Sequence, residues 1–164
     1  MKIRFLILLS LMVNLNFAQK KQCYINYNVI NKVFYSKSIE EIDTQLNKYG
    51  YVFDFNSDYT NYFNKVQRSN FSIYWTEEKS NINYINVNVN ASCYDSFKQE
   101  IINRGFVKVY EKMSKYRIDL YYKKNQEYFI LGKTSYFNLD GKVTGNGFDV
   151  SLITEDQYLE FINK

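Results

Sequence analysis

The sequence predicts an α+β fold, with an antiparallel sheet built from two tandem α-β-β-β repeats and with the helices on one face. When Gly50 is aligned with Gly105, apolar residues at helical spacing precede each glycine and an aromatic residue follows it. After each glycine the hydrophobic period changes to the alternation of half-buried strands. Strands and helices do not alternate along the chain as they do in proteins with parallel sheets. We therefore expect the strands to pair antiparallel.

The first repeat spans about residues 23–90. Apolar residues in 23–35 fit either a short helix or an alternating strand. A helix is predicted over 38–49, because Ser38 and Glu41 form a capping box and Gly50 suits a left-handed C-cap. Alternating residues then predict strands at 51–55, 71–75 and 85–89. The polar, tyrosine-rich segment 56–67 is predicted to be a loop insertion.

The second repeat spans about residues 91–164. A helix is predicted over 93–104, with Ser92 as its N-cap, Asp95 three residues later and Gly105 at its end. Strands are predicted at 107–109, 116–122, 128–131 and 148–152, with Asp140-Gly141 as a hairpin turn. Thr154 is predicted to cap a final helix with an apolar inner face of Tyr158, Phe161 and Ile162.

Residues 1–18 have the pattern of a signal peptide. Lys2 and Arg4 precede the apolar stretch 5–13, and Ala18 offers a small residue for cleavage before Gln19. We therefore expect an exported protein, periplasmic or secreted, in which residues 19–164 form a single domain. No apolar run approaches the ~20 residues of a membrane-spanning helix, so the exported chain is not expected to span the membrane.

The chain contains two cysteines, Cys23 and Cys93, both after the predicted cleavage site. Export places them in an oxidising compartment, which favours a disulfide between them. Two buried free thiols are the alternative, because the spacing of two cysteines carries no information about pairing.

The composition argues against several classes of function. The chain has no histidine, which removes the commonest general base and the commonest zinc ligand. The adjacent carboxylates at 40–41, 77–78 and 155–156 point in different directions and form no catalytic dyad. We therefore expect no enzyme, metal or cofactor. The net charge of +4 comes from dispersed residues, unlike the clustered basic patch of a nucleic-acid binder.

The aromatic content of 19%, with 17 tyrosines, is the strongest clue to function. Tyrosines on an uncovered sheet face would offer flat amphipathic area for a partner. Strand alternation places six candidates on such a face: Tyr74, Lys108, Tyr110, Arg117, Asp119 and Tyr121. The alternative is an ordinary solvated face whose tyrosines reflect compositional bias.

The glycine-aromatic steps Gly50-Tyr51 and Gly105-Phe106, with the aromatic strand at 71–75, resemble those of small exported bacterial proteins with a duplicated helix-then-strands unit. The arrangement is also similar to exported inhibitor and propeptide-like modules. This resemblance implies a fold but no catalytic residue. The preferred hypothesis is a non-enzymatic binding or inhibitor-like module that contacts a protein or peptide partner through the aromatic face. The alternatives are a cell-envelope binder of saccharides or peptides and a hydrolase based on carboxylates.

Overall fold

The computed structural model describes residues 23–56, 58–76 and 81–163. In this part of the chain, four helices accompany an eight-stranded antiparallel sheet. The predicted signal peptide at 1–18 and the carboxylate pair at 77–78 lie outside the described residues. The helices are α1 (Tyr27–Phe34), α2 (Ile39–Asn47), α3 (Ala91–Asn103) and α4 (Glu155–Asn163).

The sheet has the order β1-β2-β3-β4-β8-β7-β6-β5, so β4 and β8 pair at its centre and β1 and β5 are its edges. Helix α2 precedes the meander β1–β4, and α3 precedes the meander β5–β8. The strands are β1 (Val52–Asn56), β2 (Thr60–Asn64), β3 (Ser69–Trp75), β4 (Ile82–Val89), β5 (Val107–Met113), β6 (Arg117–Lys124), β7 (Glu127–Phe137) and β8 (Val143–Ile153).

The helix ends follow local capping chemistry. Asn26 caps α1 by accepting a hydrogen bond from the Val29 amide, so the ambiguous segment 23–35 contains a helix. Ser38 caps α2 as predicted. The predicted cap of α3 is wrong, because Asn90 rather than Ser92 accepts from the Cys93 amide, and the Ser92 hydroxyl donates to Asn90 instead.

Both glycines that follow the predicted helices adopt the left-handed backbone that a C-cap requires. The φ angle is 76° at Gly50 and 89° at Gly105. A residue with a Cβ is strained in this region, so glycine marks the end of each helix.

The predicted loop insertion at 56–67 is wrong, because it contains strand β2. Thr60, Asn61, Tyr62 and Asn64 are buried although most of them are polar. Their polar atoms have partners: the Tyr62 hydroxyl donates to Asp43 of α2 at 2.6 Å, and the Asn64 amide donates to a backbone carbonyl at 2.7 Å. Helix α2 is therefore followed by four strands rather than by the three predicted for the first repeat, and α3 is followed by four strands, as predicted for the second.

The helices lie on both faces of the sheet, so the prediction of helices on one face is wrong for α4. Helices α1, α2 and α3 pack on one face, through residues such as Ile30, Leu46 and Phe97. Helix α4 packs on the other face, where Tyr158, Phe161 and Ile162 contact Tyr121, Tyr128, Ile130 and Ile153. Residues 128–131 of β7 are all apolar or aromatic, and successive side chains of a strand point to opposite faces of the sheet. Both faces of this part of β7 are therefore buried under helices.

The predicted disulfide is confirmed. Cys23 and Cys93 are bonded, with a Cα–Cα distance of 5.4 Å, and the bond ties the segment before α1 to the first turn of α3. Within the described ranges, none of the helices combines the length and the apolarity needed to cross a membrane.

Candidate functional site

The sheet face opposite α1–α3 carries the candidate site. Directly opposed residues of antiparallel strands share a face. The register pairs Ser72 with Asn86, Asn86 with Ser151, and Ser151 with Ile130, which α4 contacts. We call this face the open face, because among the described helices only α4 packs on it.

An ion-pair network crosses the open face between β6 and β8. The two terminal nitrogens of Arg117 donate to the two carboxylate oxygens of Asp149, at 2.9 Å each. Its Nε donates to Asp119 at 2.7 Å, and Nη1 also donates to Thr134 at 3.2 Å. Because the charge-assisted pairing is bidentate, it fixes the position of the guanidinium group.

Gly132 makes this network possible. It lies on β7, between the strands that carry Arg117 and Asp149. A Cβ at this position would overlap the guanidinium of Arg117 and both carboxylate oxygens of Asp149. The ion pair therefore passes directly over the backbone of Gly132, where only a glycine leaves room.

Polar side chains extend the network towards β1. The Asn86 amide donates to Asp149 at 3.3 Å and to Ser151 at 2.9 Å. Across β3 and β2, the Ser72 hydroxyl donates to Asn61, which donates to Asp54 of β1. We call these residues, together with Arg117 and Asp119, the polar belt. It is a preorganised set of hydrogen-bonding groups over most of the sheet width. Asn61, Asp149 and Ser151 are buried within it, and its accessible members are Asp54, Ser72, Asn86, Arg117 and Asp119.

Three tyrosines stand beside the polar belt. Tyr74 lies between Tyr59 and Tyr84, with centroid distances of 4.8 Å and 3.9 Å. We call these three the tyrosine stack; all are half-buried. Since the ring faces cover one another, a partner would meet ring edges and hydroxyl groups. Burial and the neighbouring Tyr74 raise the pKa of Tyr84, so its hydroxyl is a neutral donor and acceptor.

A cavity of about 330 Å³ lies between α4 and the polar belt. Tyr84 and Phe161, whose rings meet edge to face, form part of its wall. The polar side chains in its lining are those of Asn86, Lys112, Arg117, Asp119 and Ser151. Burial raises the pKa of the Asp119 carboxyl, and the adjacent Arg117 opposes this shift.

Four of the six predicted site residues lie on the open face with at least partial exposure. Tyr74 belongs to the tyrosine stack, and Arg117 and Asp119 belong to the polar belt. Tyr110 is 39% exposed and lies beside Tyr121 at the edge strand β5.

The other two predicted site residues are corrected by the structure. Tyr121 is on the open face but only 3% exposed, because α4 covers it and places Tyr158 against its ring. Lys108 lies on the opposite face: it is paired with Tyr122, whereas Tyr110 is paired with Tyr121. The register shift between Lys108 and Tyr110 is a β-bulge, and it breaks the alternation on which the prediction relied.

Sequence reasoning missed several residues of the site. Asn86 alternates with buried apolar residues of β4, which was a usable signal for an outward-facing position. Asp149 and Ser151 alternate in the same way on β8. The contacts of Asp149 with Arg117 and of Ser151 with Asn86 depend on the strand order, which the sequence did not reveal.

The burial of Tyr121 predicts a loss of stability at alkaline pH. Burial, and then the charge of Asp119, raise the pKa of Tyr121 from 10.0 to about 12. Above pH 10 the unfolded chain ionises this phenol while the folded chain keeps it neutral. The contribution of Tyr121 to stability is therefore constant below pH 10 and becomes increasingly unfavourable as the pH rises towards 12. Urea unfolding between pH 9 and 11.5 should show a smaller decline for Tyr121→Phe than for the native chain. Equal declines would contradict this assignment.

Within the described ranges, no group of acidic or cysteine side chains is arranged to hold a metal ion. No protein-family model, no curated protein and no solved structure matches this chain.

Proposed function

We propose that this chain is a non-enzymatic, exported binding module, inhibitor-like in character, whose open face contacts a partner protein. The observation that carries the proposal is the polar belt beside the half-exposed tyrosine stack. Tyrosines supply rigid amphipathic contact area at low entropic cost, and fixed amides and hydroxyls supply directional hydrogen bonds.

A binding role suits the chemistry of the belt better than catalysis does. The carboxylates that converge here, Asp119 and Asp149, both accept hydrogen bonds from Arg117. Each is therefore held in an ion pair with Arg117, and Asp149 uses both of its carboxylate oxygens in it. The chain also has no histidine to act as a base.

We further propose that the domain, residues 19–164, arose as two tandem repeats. Helix α2 with β1–β4 and helix α3 with β5–β8 share one order of elements. Both helices are followed by a glycine with positive φ, and the two meanders meet through β4 and β8. The disulfide, which suits an oxidising compartment, supports export.

A second function, the binding of a small saccharide or peptide from the cell envelope, is favoured by one separate observation. The cavity under α4 is at the lower end of the volume range of ligand sites and combines aromatic walls with convergent polar groups. Such a ligand would occupy the cavity, whereas a partner protein would cover the wider face.

Site-specific photo-crosslinking tests the proposed protein interface. A photoreactive amino acid at Asn88, which is exposed and paired with Asp149 on the open face, should give a discrete adduct in cells that naturally produce the protein. The same amino acid at Asp95, exposed on α3, should give none. Tyr74→Ala should reduce the Asn88 adduct about tenfold, since truncating a well-packed interface tyrosine costs at least about 1–2 kcal/mol.

Tyr35→Ala provides the matched control, because Tyr35 is an exposed tyrosine next to α1. It should leave the adduct unchanged. Thermal unfolding of both variants checks that the fold is retained. An adduct of equal yield at Asn88 and Asp95, or one that Tyr74→Ala does not reduce, would refute the proposed face.

A further inference from the structure

We propose that the cavity under α4 binds a single neutral sugar unit. This inference rests on the second function proposed above and names the chemical class of its ligand. It is carried by the charges, the residual hydrogen-bonding capacity and the aromatic walls of the cavity.

The charges of the cavity indicate a neutral ligand. Arg117 is paired with two carboxylates, Asp119 and Asp149, which leaves one excess negative charge in that cluster. The ammonium of Lys112, in the same lining, balances it and acts on the Asp119 carboxyl. The site therefore offers no net charge to attract an acidic or a basic ligand.

The polar side chains that line the cavity keep both donors and acceptors that are not used in hydrogen bonds within the described part of the protein. Arg117 occupies one oxygen of Asp119, and within the described residues Oδ2 accepts no hydrogen bond. The Asn86 amide uses its nitrogen on Asp149 and Ser151, which leaves its carbonyl oxygen as an acceptor. Ser151 accepts from Asn86 and keeps its own hydroxyl proton, and Lys112 uses one of its three protons on the Phe161 carbonyl.

Acceptors and donors thus line one small space. A hydroxyl group donates one hydrogen bond and accepts others, so vicinal hydroxyls satisfy such an alternating set better than a carboxylate, which only accepts. The ion pair holds these groups in place before a ligand arrives, which lowers the entropic cost of binding.

The aromatic walls of the cavity also suit a sugar ring. Phe161 from α4 and Tyr84 from β4 line the same cavity as the polar groups. A pyranose has an apolar face of C–H groups and a rim of hydroxyls, so it can pack against the aromatic side and bond to the polar side. A volume of about 330 Å³ suits one ring rather than a chain.

Titration of the isotope-labelled protein with four probes tests the inference. The probes are D-glucose, N-acetyl-D-glucosamine, sodium glucuronate and the dipeptide Gly-Gly. The two neutral sugars should shift the backbone amide resonances of Asn86 and Ser151 and saturate at about millimolar concentration, as expected for ligands of this size. Glucuronate and the dipeptide should produce no saturable shift.

Asp119→Asn is the informative variant, since it keeps an oxygen for Arg117 and replaces the free carboxylate oxygen with an amide. It should weaken sugar binding at least tenfold. Glu111→Gln is the matched control, because Glu111 is also ion-paired but belongs to the opposite face. It should bind as the native chain does. If Asp119→Asn unfolds, Ser151→Ala, which removes a single hydroxyl, should weaken binding several-fold.

The alternative outcomes are distinct. Saturable binding of glucuronate or the dipeptide without the neutral sugars would overturn the inference and leave the second function standing. No saturable shift with any probe would overturn both. Sugar binding of native strength in folded Asp119→Asn would also overturn the inference, because the carboxylate is its central contact.

Discussion

Replacing Cys23 and Cys93 together by alanine should lower the free energy of unfolding by about 4 kcal/mol. The disulfide joins positions 70 residues apart, and a crosslink that closes so long a loop removes much of the conformational entropy of the unfolded chain. Alanine is the appropriate replacement, because Cys93 is only 4% exposed and a serine would bury a hydroxyl group.

Urea unfolding of the native and double-alanine chains measures this difference. The native chain unfolded in the presence of a reductant is the control, and it should approach the stability of the double variant. A loss below about 1 kcal/mol would show that α1 and the segment before it are held by packing alone, through Ile25 of that segment and Val29, Ile30 and Val33 of the helix.

Much of the fold could be predicted because it depends on local chemistry. The apolar spacing and the capping residues locate α2, and Gly105 marks the end of α3. The Asp140-Gly141 turn is correct as well, since Gly141 has a φ angle of 76° between β7 and β8. In these cases the residues that determine the structure are neighbours in the sequence.

Strand β2 could not be predicted, because its buried residues are polar in composition. Asn61 and Asn64 are tolerated in the interior only through hydrogen bonds to Asp54 and to the Tyr49 carbonyl. Such partners are set by tertiary contacts, and the period of apolar residues does not report them.

The candidate site was partly predictable for a related reason. Alternation along β6 correctly places Arg117 and Asp119 on one face. The alternation gives the wrong face for Lys108, because a bulge in β5 places its side chain on the opposite face of the sheet. It also cannot reveal that α4 covers Tyr121. The partner of Arg117 on β8 becomes evident only when the strand order places Gly132 between them.

Gly132→Ala should lower the free energy of unfolding by about 2–3 kcal/mol. The new methyl group would occupy the space of the Arg117 and Asp149 side chains, so the ion pair must separate. Asp149 is 6% exposed and would keep only its hydrogen bond from Asn86. Breaking a buried pair costs about 3–5 kcal/mol, and the partial exposure of Arg117 to water reduces this cost.

Gly145→Ala is the matched control, because a methyl group there would meet only the Tyr136 ring, at an ordinary 3.9 Å. Its stability should stay within about 0.5 kcal/mol of the native value. In an Arg117→Met background, Gly132→Ala should cost clearly less than in the native chain, since both changes disrupt one interaction. If urea unfolding showed that the losses in the free energy of unfolding caused by Gly132→Ala and Arg117→Met were fully additive, glycine would be required at position 132 by the backbone of β7 and not by the ion pair above it.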